Sequence, residues 1–431
     1  MRLKEMLLRS NAFFISWAVI ASFGTYFCMY AFRKPFSAGL YEGLEIGNIG
    51  YKAILIISQV AGYTLSKFAG IKVISELRHR SRIRLIILLI LVAEAALLLF
   101  GLVPFPYNFI FLFINGLPLG IVYGIVFSFL EGRRFTEMLA LGLNISVVVA
   151  SGILKTIYIE LHGLFPVISE FSMPFFMGLL FLPLFLIFVW MLSVIPEPNA
   201  EDIRLRTKRL PMTQEDKCAV MRQFGFPIVC LVLFYASMVV LRDFRDNFTI
   251  EIWNEIDMHW ASSVLTTTEM ISGIIVLVII GSLAFVRDNV KGFRLTNFIL
   301  FLSICLIGSG TLLFQKALVS GFLWMLLVGL GTFLAYTVLQ TVIFDRMIAL
   351  FRIKANAGFF IYICESIGYM GSAGLLLYKE FFMKEMNWSA VLMQFTYVQF
   401  FTGFLLLLAS NIFFERYRQQ KESESGPLQA V

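Results

Sequence analysis

Twelve long apolar stretches, separated by short polar segments, constrain this chain more than any other feature of its sequence. Each is close to the roughly 20 residues that an α-helix needs to cross the hydrocarbon core of a bilayer. The stretches are continuous and do not alternate in polarity, which argues against a transmembrane β-barrel. Hydrophobic residues make up 59% of the chain, well above the roughly 45–50% of a soluble domain. We therefore predict an all-α membrane protein with twelve transmembrane helices.

The spans fall into two groups of six that we interpret as pseudo-symmetric halves. The first six are 12–33, 51–74, 84–103, 107–130, 138–159 and 172–195, and the second six are 224–243, 261–285, 294–314, 318–344, 356–378 and 391–414. We predict an N-terminal six-helix bundle (1–195), a basic linker (196–222), a C-terminal bundle (223–414) and a tail (415–431). We expect the tail to be disordered after Lys421, because its composition is polar.

Basic residues are distributed unevenly among the loops. They cluster at the N-terminus, after the second span, in the central linker and in the tail, which all lie on one side of the predicted topology. Because Lys and Arg accumulate in cytoplasmic loops, both termini and the linker are predicted to be cytoplasmic. The net charge of +7 is thus a topology signal and not a sign of nucleic-acid binding. We expect the plasma membrane, specifically a bacterial inner membrane.

Cations also stand inside or at the ends of spans. Arg33 and Lys34 close the first span, and Lys67 lies near the middle of the second. A charge in the hydrocarbon costs a few kcal/mol even on lenient scales, so each needs a partner or a water-filled cavity. In the second half, Arg242 and Arg245 close the seventh span at a similar depth. We interpret the two clusters as the walls of one anion site.

Structural interpretations of the same cations stay open. The pair that closes the first span could extend to the lipid headgroups. Lys67 could form an ion pair with Glu94 or Glu131. The two arginines of the seventh span could pair with Asp243 and Asp246, since residues three or four apart on a helix are neighbours.

Three more charged residues inside spans are candidates for coupling or gating: Glu269 in the eighth span, Glu365 in the eleventh and Lys155 in the fifth. Either carboxylate could pair with a cation of the site or carry a proton.

Charged pairs also end the fourth and tenth spans on the predicted cytoplasmic side. They are Glu131 with Arg133, and Asp345 with Arg346. Pseudo-symmetry makes them counterparts, and we expect both pairs to act as structural latches against the basic loops.

Four motifs resemble those of a known transporter family. Tyr30-Ala31-Phe32-Arg33-Lys34-Pro35-Phe36 is similar to the first-helix motif Tyr-x-x-Arg-Lys-x-Phe of the organophosphate:phosphate antiporters, within the major facilitator superfamily. Gly62-Tyr63-Thr64-Leu65-Ser66-Lys67-Phe68 resembles their second-helix motif. Leu241-Arg242 stands where they carry a seventh-helix arginine, and Gly368-Tyr369-Met370-Gly371 resembles an eleventh-helix motif.

The resemblance implies a major facilitator fold and a set of site residues. Arg33 and Arg242 would bind the phosphate, and Lys67, Tyr30 and Tyr63 would line the site. Glu269 would be a looser match to an acidic residue of the eighth helix. An arginine fork matches phosphate oxygens bidentately, and a lysine adds a point charge.

The chain also departs from the pattern of this family. Val147 stands where the family has a fifth-helix histidine, and Val239 stands three residues before Arg242, where it has a tyrosine. We therefore expect a divergent member whose substrate differs in its organic part.

These observations favour a secondary active transporter of a small organic anion, phosphorylated or phosphate-like, that works by alternating access. The counter-ion could be inorganic phosphate or protons. Two alternatives stay open: a transport-silent sensor of a phosphorylated solute, and a proton-coupled symporter of another solute. We predict no enzyme activity, cofactor, metal or nucleic-acid partner, and we expect a monomer.

Overall fold

A helix forms in each of the twelve predicted spans. The computed structural model describes residues 2–76, 79–130, 136–197, 214–283, 285–286, 288–351, 357–383 and 387–425. Helices are the expected outcome for apolar runs of this length, because hydrocarbon offers backbone amides and carbonyls no partners outside the segment. The prediction of an all-α membrane protein is confirmed.

The described residues of the first half form seven helices. They are α1 (Arg2–Arg9), α2 (Asn11–Ala31), α3 (Tyr51–Glu76), α4 (His79–Leu102), α5 (Phe109–Leu130), α6 (Thr136–Leu164) and α7 (Met173–Val194). A 3-10 turn at Pro35–Ala38 follows α2. A two-strand hairpin, β1 (Glu45–Ile46) and β2 (Ile49–Gly50), then leads into α3, with Glu45 opposite Gly50.

In the second half, eight helices lie within the part of the chain that the structure describes. They are α8 (Gln214–Asn247), α9 (Thr249–Ile256), α10 (Ser263–Leu283), α11 (Asn289–Gln315), α12 (Gly321–Val338), α13 (Phe344–Phe351), α14 (Ala357–Phe382) and α15 (Trp388–Ser425). A π-helical turn at Leu339–Ile343 joins α12 to α13. Such turns are rare, and they occur frequently at functional sites.

Ten helical stretches among the described residues are long and apolar enough to cross a membrane. The other two predicted spans fall on α3 and α14, which also carry charged residues such as Lys67 and Glu365.

Two predicted boundaries differ from the structure. α8 begins at Gln214, inside the predicted linker 196–222, and residues 198–213 lie outside the described part of the chain. The prediction of a disordered tail after Lys421 is wrong as far as Ser425, because α15 continues to that residue. Hydropathy locates only the part of a helix that lies in the membrane. Where the helix ends in water depends instead on helix propensity and on side-chain pairs such as Arg418 with Glu415.

The chain divides into two compact units. Unit 1 comprises 1–207, 244–277 and 373–389, and unit 2 comprises 208–243, 278–372 and 390–431. Within unit 1, α3 packs on α5, α4 packs on α5 and α7, and α2 packs on α6 and α7. Within unit 2, α11 packs on α12.

Glycines allow the α3–α5 contact. A Cβ atom at Gly116 would meet the backbone carbonyl oxygen of Gln59, and one at Gly120 would lie 2.6 Å from the carbonyl oxygen of Tyr63. Close approach of helix backbones through small residues is a common way for helices to associate in lipid. Since α3 carries Tyr63 and Lys67, this contact also places two of the predicted site residues.

Candidate functional site

Three of the predicted site residues meet in unit 1 around the ring of Tyr63. The guanidinium carbon of Arg33 lies 3.9 Å from the ring centroid, and Lys67 Nζ lies 5.1 Å from the same centroid. Arg33 also lies 5.7 Å from the ring centroid of Tyr30. A cation over an aromatic face is attracted by the ring quadrupole. These contacts bring Arg33, Lys67, Tyr30 and Tyr63 together, and their role in binding an anion stays a prediction.

Polar side chains hold the end of α2, from which Arg33 projects. Gln59 Nε2 donates to the carbonyl oxygen of Arg33 (2.9 Å) and to Asn115 Oδ1 (2.8 Å). Asn115 Nδ2 donates to the carbonyl oxygens of Phe32 and Ala93, each at 3.0 Å. The carbonyl groups at a helix end lack intrahelical partners. This network provides partners for the carbonyl oxygens of Phe32 and Arg33 and so holds the backbone from which the Arg33 side chain extends.

A second cluster in unit 1 is centred on Asp246. Lys34 Nζ lies 2.5 Å from Asp246 Oδ2 and donates to Asn247 Oδ1 at 3.0 Å. Lys155 Nζ lies 2.8 Å from Asp246 Oδ1 and also contacts the Asp246 backbone carbonyl. Ser151 Oγ donates to the same carboxylate. Lys155 is only 1% exposed, so this aspartate balances two buried cations.

Glu269 and Arg245 form another buried ion pair in unit 1. Arg245 Nη1 lies 3.8 Å from Glu269 Oε1, and both side chains are buried. The other oxygen of Glu269 accepts a hydrogen bond from the backbone amide of Gly152 (2.5 Å). The structure therefore places Lys34, Lys155, Arg245 and Glu269 in ion pairs. A role for them in substrate binding, coupling or gating stays a prediction.

Two further cations of unit 1 flank an aromatic stack. The rings of Phe248 and Trp388 lie parallel with centroids 3.7 Å apart. Lys379 Nζ lies 3.8 Å from the Trp388 centroid, and Lys52 Nζ lies 5.6 Å from that of Phe248. Lys52 also pairs with Glu251. Sequence reasoning did not identify this group, because its members are far apart in the chain.

Arg242, in unit 2, lies over a tyrosine ring as Arg33 does in unit 1. Its guanidinium carbon lies 4.4 Å from the ring centroid of Tyr336, on α12. Its Nη2 and Nε atoms lie 2.9 and 3.1 Å from Asp243 Oδ1. Ser372 Oγ donates to the other oxygen of Asp243 at 3.0 Å. Each unit thus contains an arginine that lies over a tyrosine ring. The seventh-helix tyrosine that Val239 replaces is not needed for this contact, because Tyr336 provides the ring.

Glu365 lies near the π-helical turn in unit 2. Its Oε1 accepts a hydrogen bond from Gln340 Nε2 (3.1 Å), and Gln340 belongs to that turn. A role for Glu365 in coupling stays a prediction.

The proposed latches are described only in the second half of the chain. Glu131 and Arg133 lie outside the described residues. Arg346 donates to the carbonyl oxygens of Leu283 (3.3 Å) and Val286 (2.8 Å) and to Asn289 Oδ1 (3.1 Å). Asp345 lies in the first turn of α13. Arg346 therefore contacts the loop between α10 and α11, and its role as a latch stays a prediction.

The described contacts bear out one structural interpretation of the cations in part, since Arg242 pairs with Asp243, and they do not match another. Asp246 pairs with Lys34 and Lys155, and Arg242 bonds to the adjacent Asp243. Glu94 has no hydrogen-bond partner among the described residues, so it does not hold Lys67. Glu131, the other carboxylate considered for Lys67, lies outside the described residues.

Sequence reasoning missed several residues that organise these clusters. They are Gln59, Asn115, Tyr336 and Gln340. A usable signal existed for three of them, since Gln59, Asn115 and Gln340 are amide side chains inside long apolar runs. Such side chains are costly in hydrocarbon without partners, so they indicate a polar interior.

Comparison with known proteins places this chain in a family and a fold. The model of a family of unknown function, DUF5690, matches residues 35–417. No curated protein matches the sequence. Solved structures that match include a D-xylose–proton symporter, with a TM-score of 0.60, 13% identity, and coverage of 93% of this chain and 97% of the symporter.

Two other matches have the same low identity. A variant of the peptide transporter POT in complex with sulfate has a TM-score of 0.62 and 13% identity, and the match covers 92% of this chain and 94% of the transporter. The human organic anion transporter MFSD10 has a TM-score of 0.55 and 13% identity, with coverage of 93% and 100%. These neighbours show that the chain has the major facilitator fold, as predicted.

Proposed function

We propose that this chain, which belongs to the family of unknown function DUF5690, is a secondary transporter of a small organic anion. The anion carries a phosphate or phosphate-like group, and transport proceeds by alternating access. The observation that carries the proposal is the convergence of Arg33 and Lys67 on the ring of Tyr63 within unit 1.

The charges of this group favour an anionic ligand. Two cations on one ring repel each other, and that repulsion is reduced when an anion binds between or beside them. The guanidinium of Arg33 can form two parallel hydrogen bonds to phosphate oxygens, while Lys67 adds a point charge. The rings of Tyr30 and Tyr63 limit the orientations of the guanidinium, so less conformational entropy is lost on binding.

Two other findings support the proposal. Arg242 over Tyr336 is a second arginine–tyrosine group, in unit 2, where the resemblance to organophosphate antiporters expects a phosphate-binding arginine. The structural neighbours are named as transporters of solutes as different as D-xylose and organic anions. The neighbours therefore do not indicate the substrate, and the phosphate group is proposed from residues of this chain alone.

Replacing Arg33 with glutamine is expected to reduce flux of a phosphorylated probe by at least about tenfold, because a charge-assisted hydrogen bond contributes about 1.5–3 kcal/mol. The measurement is exchange of radiolabelled inorganic phosphate and of glycerol phosphate in proteoliposomes that contain the purified protein. Arg84→Gln is the matched control, because Arg84 is exposed on α4. Arg33→Lys, which keeps the charge but loses the fork, should fall between wild type and Arg33→Gln.

Ligand binding without flux would select the sensor alternative, and it is detected separately. A ligand at 100 times its Kd raises the free energy of unfolding by about 2.7 kcal/mol, which is visible as a higher melting temperature. Phosphate-dependent stabilisation that is lost in Arg33→Gln, together with no exchange, would identify a sensor. Equal exchange in wild type and Arg33→Gln would contradict the assigned site.

A further inference from the structure

Glu94 is a buried carboxyl group that the proposed anion site does not use. It lies on α4, is only 6% exposed, and neither of its oxygens has a hydrogen-bond partner among the described residues. An ionised carboxylate without donors in such a place would cost far more than taking up a proton. The burial and the lack of donors therefore indicate a neutral carboxylic acid.

The helices packed against α4 supply no counter-charge. α4 packs on α5 and α7, and neither helix contains an Asp, Glu, Lys, Arg or His residue. The titratable group of α5 is Tyr123, whose hydroxyl donates to Asn144. The charged residues of α4 itself lie in its first turns, the last being Arg84, about 15 Å along the helix from Glu94.

The α4–α7 contact contains a notch that fits this carboxyl group. A Cβ atom at Gly178, on α7, would collide with Glu94 Oε2 and would lie 2.7 Å from its carboxyl carbon. The glycine thus leaves the space that the carboxyl group fills. Glu94 lies about 12 Å from the end of α4 at Leu102, and Gly178 lies about 8 Å from the start of α7 at Met173.

We propose that Glu94 is a proton-binding site through which a pH gradient drives this protein. The carboxyl group holds its proton while α4 and α7 are packed, and it ionises when the two helices part and water enters the notch. The reaction is the release of one proton from a carboxylic acid to water, and its reverse. The proposal rests on the proposed transport function and names the proton as its coupling ion.

A hydrogen-bonded path joins the backbone of α4 beside Glu94 to the segment that carries Arg33. The carbonyl oxygen of the adjacent residue, Ala93, accepts a hydrogen bond from Asn115. Asn115 also donates to the carbonyl oxygen of Phe32 and accepts from Gln59, which donates to that of Arg33. A displacement of α4 at Ala93 therefore acts on the bonds that position Arg33. This path is the physical link between proton release and anion binding.

The protonation state is tested by infrared spectroscopy of the full-length protein in lipid, which needs no substrate. Wild type should show the C=O stretch of a protonated carboxylic acid at neutral pH, and Glu94→Gln should lose the part of this band that Glu94 contributes. Glu42→Gln is the matched control, because Glu42 is an exposed carboxylate of unit 1. Equal band intensity in wild type and Glu94→Gln, or no such band in folded wild type, overturns the proposal.

Helix separation is tested by hydrogen exchange of residues 90–98 and 174–182. After correction for the intrinsic effect of pH, exchange in wild type should increase at alkaline pH, and in Glu94→Gln it should not. Gly178→Ala adds a methyl group that would displace the Glu94 carboxyl group, so this single substitution should raise hydrogen exchange. In a Glu94→Ala background it should not, because the displaced group is absent. Equal pH responses in wild type and Glu94→Gln overturn the coupling of protonation to packing.

Transport supplies the third measurement. An imposed pH gradient should accelerate uptake of radiolabelled phosphate by wild type severalfold, and Glu94→Gln should lose this acceleration while it keeps phosphate exchange. Acceleration that survives in Glu94→Gln overturns the coupling role. If wild type transports no phosphate at all, the proposed function has failed on its own, and the infrared and exchange experiments still decide the proton site.

Discussion

Asp246→Asn is expected to destabilise the protein by about 3–5 kcal/mol, the cost of removing one partner from a buried ion pair. The carboxylate of Asp246 contacts the ammonium groups of both Lys34 and Lys155. Asparagine keeps the shape of the side chain but removes its charge, so two buried cations lose the negative charge that balances them. The measurement is the melting temperature and the urea midpoint of the purified protein in detergent.

A second substitution separates the loss of charge balance from a general loss of packing. Lys155→Met removes one of the two cations and keeps an apolar stem of similar length. In the Asp246→Asn background it should restore part of the lost stability, since fewer unbalanced charges remain. Asp257→Asn is the control, because Asp257 is exposed in the same unit. Strictly additive effects of the two substitutions would show that the contacts with Asp246 contribute little energy.

Gly116→Ala is expected to lower stability even though alanine is the better helix former. A Cβ atom at this position would meet the carbonyl oxygen of Gln59 and lie 2.8 Å from the amide nitrogen of Tyr63. Backbone atoms of α3 cannot rotate away as a side chain can, so the two helices must move apart. Overpacking of this kind typically costs about 1–3 kcal/mol, and more where the neighbour cannot move.

The control for this substitution is Gly163→Ala, near the end of α6, where an added Cβ atom meets nothing within 4 Å. This variant should be neutral or stabilised by up to about 1 kcal/mol, the usual gain when a helical glycine becomes alanine. Gly116→Ala should also weaken any response of the protein to phosphate, because α3 carries Tyr63 and Lys67. Equal melting temperatures for the two variants would contradict the close contact between α3 and α5.

Each membrane span could be predicted because the bilayer acts on every stretch of chain locally. A run of about 20 apolar residues has one favourable conformation in hydrocarbon, whatever the rest of the chain does. The ends of α8 and α15 were less predictable. Both helices extend into polar sequence, where no apolar run marks the boundary.

The sequence predicted which residues belong to the group around Tyr63, but it did not predict which of them are in contact. The spacing of Tyr63 and Lys67 places both on one face of α3, one turn apart, and the motif at 30–36 identified Arg33. Which ring the guanidinium would lie over depends on how α2 packs in unit 1. The contact of Arg242 could not be predicted for the same reason, because the ring that it lies over belongs to Tyr336, almost a hundred residues away in the chain.

The partners of Asp246 were decided by tertiary structure. Local spacing favoured pairs between Asp246 and arginines of its own helix, yet Lys34 and Lys155 provide its counter-charges. Glu94 has no hydrogen-bond partner among the described residues, and α5 and α7 carry no charged side chains. The sequence by itself thus determined the membrane class, the spans and the candidate cations, since hydropathy and helical spacing act over short range. Pairing and burial depend on which distant helices meet, and only the folded chain decides that.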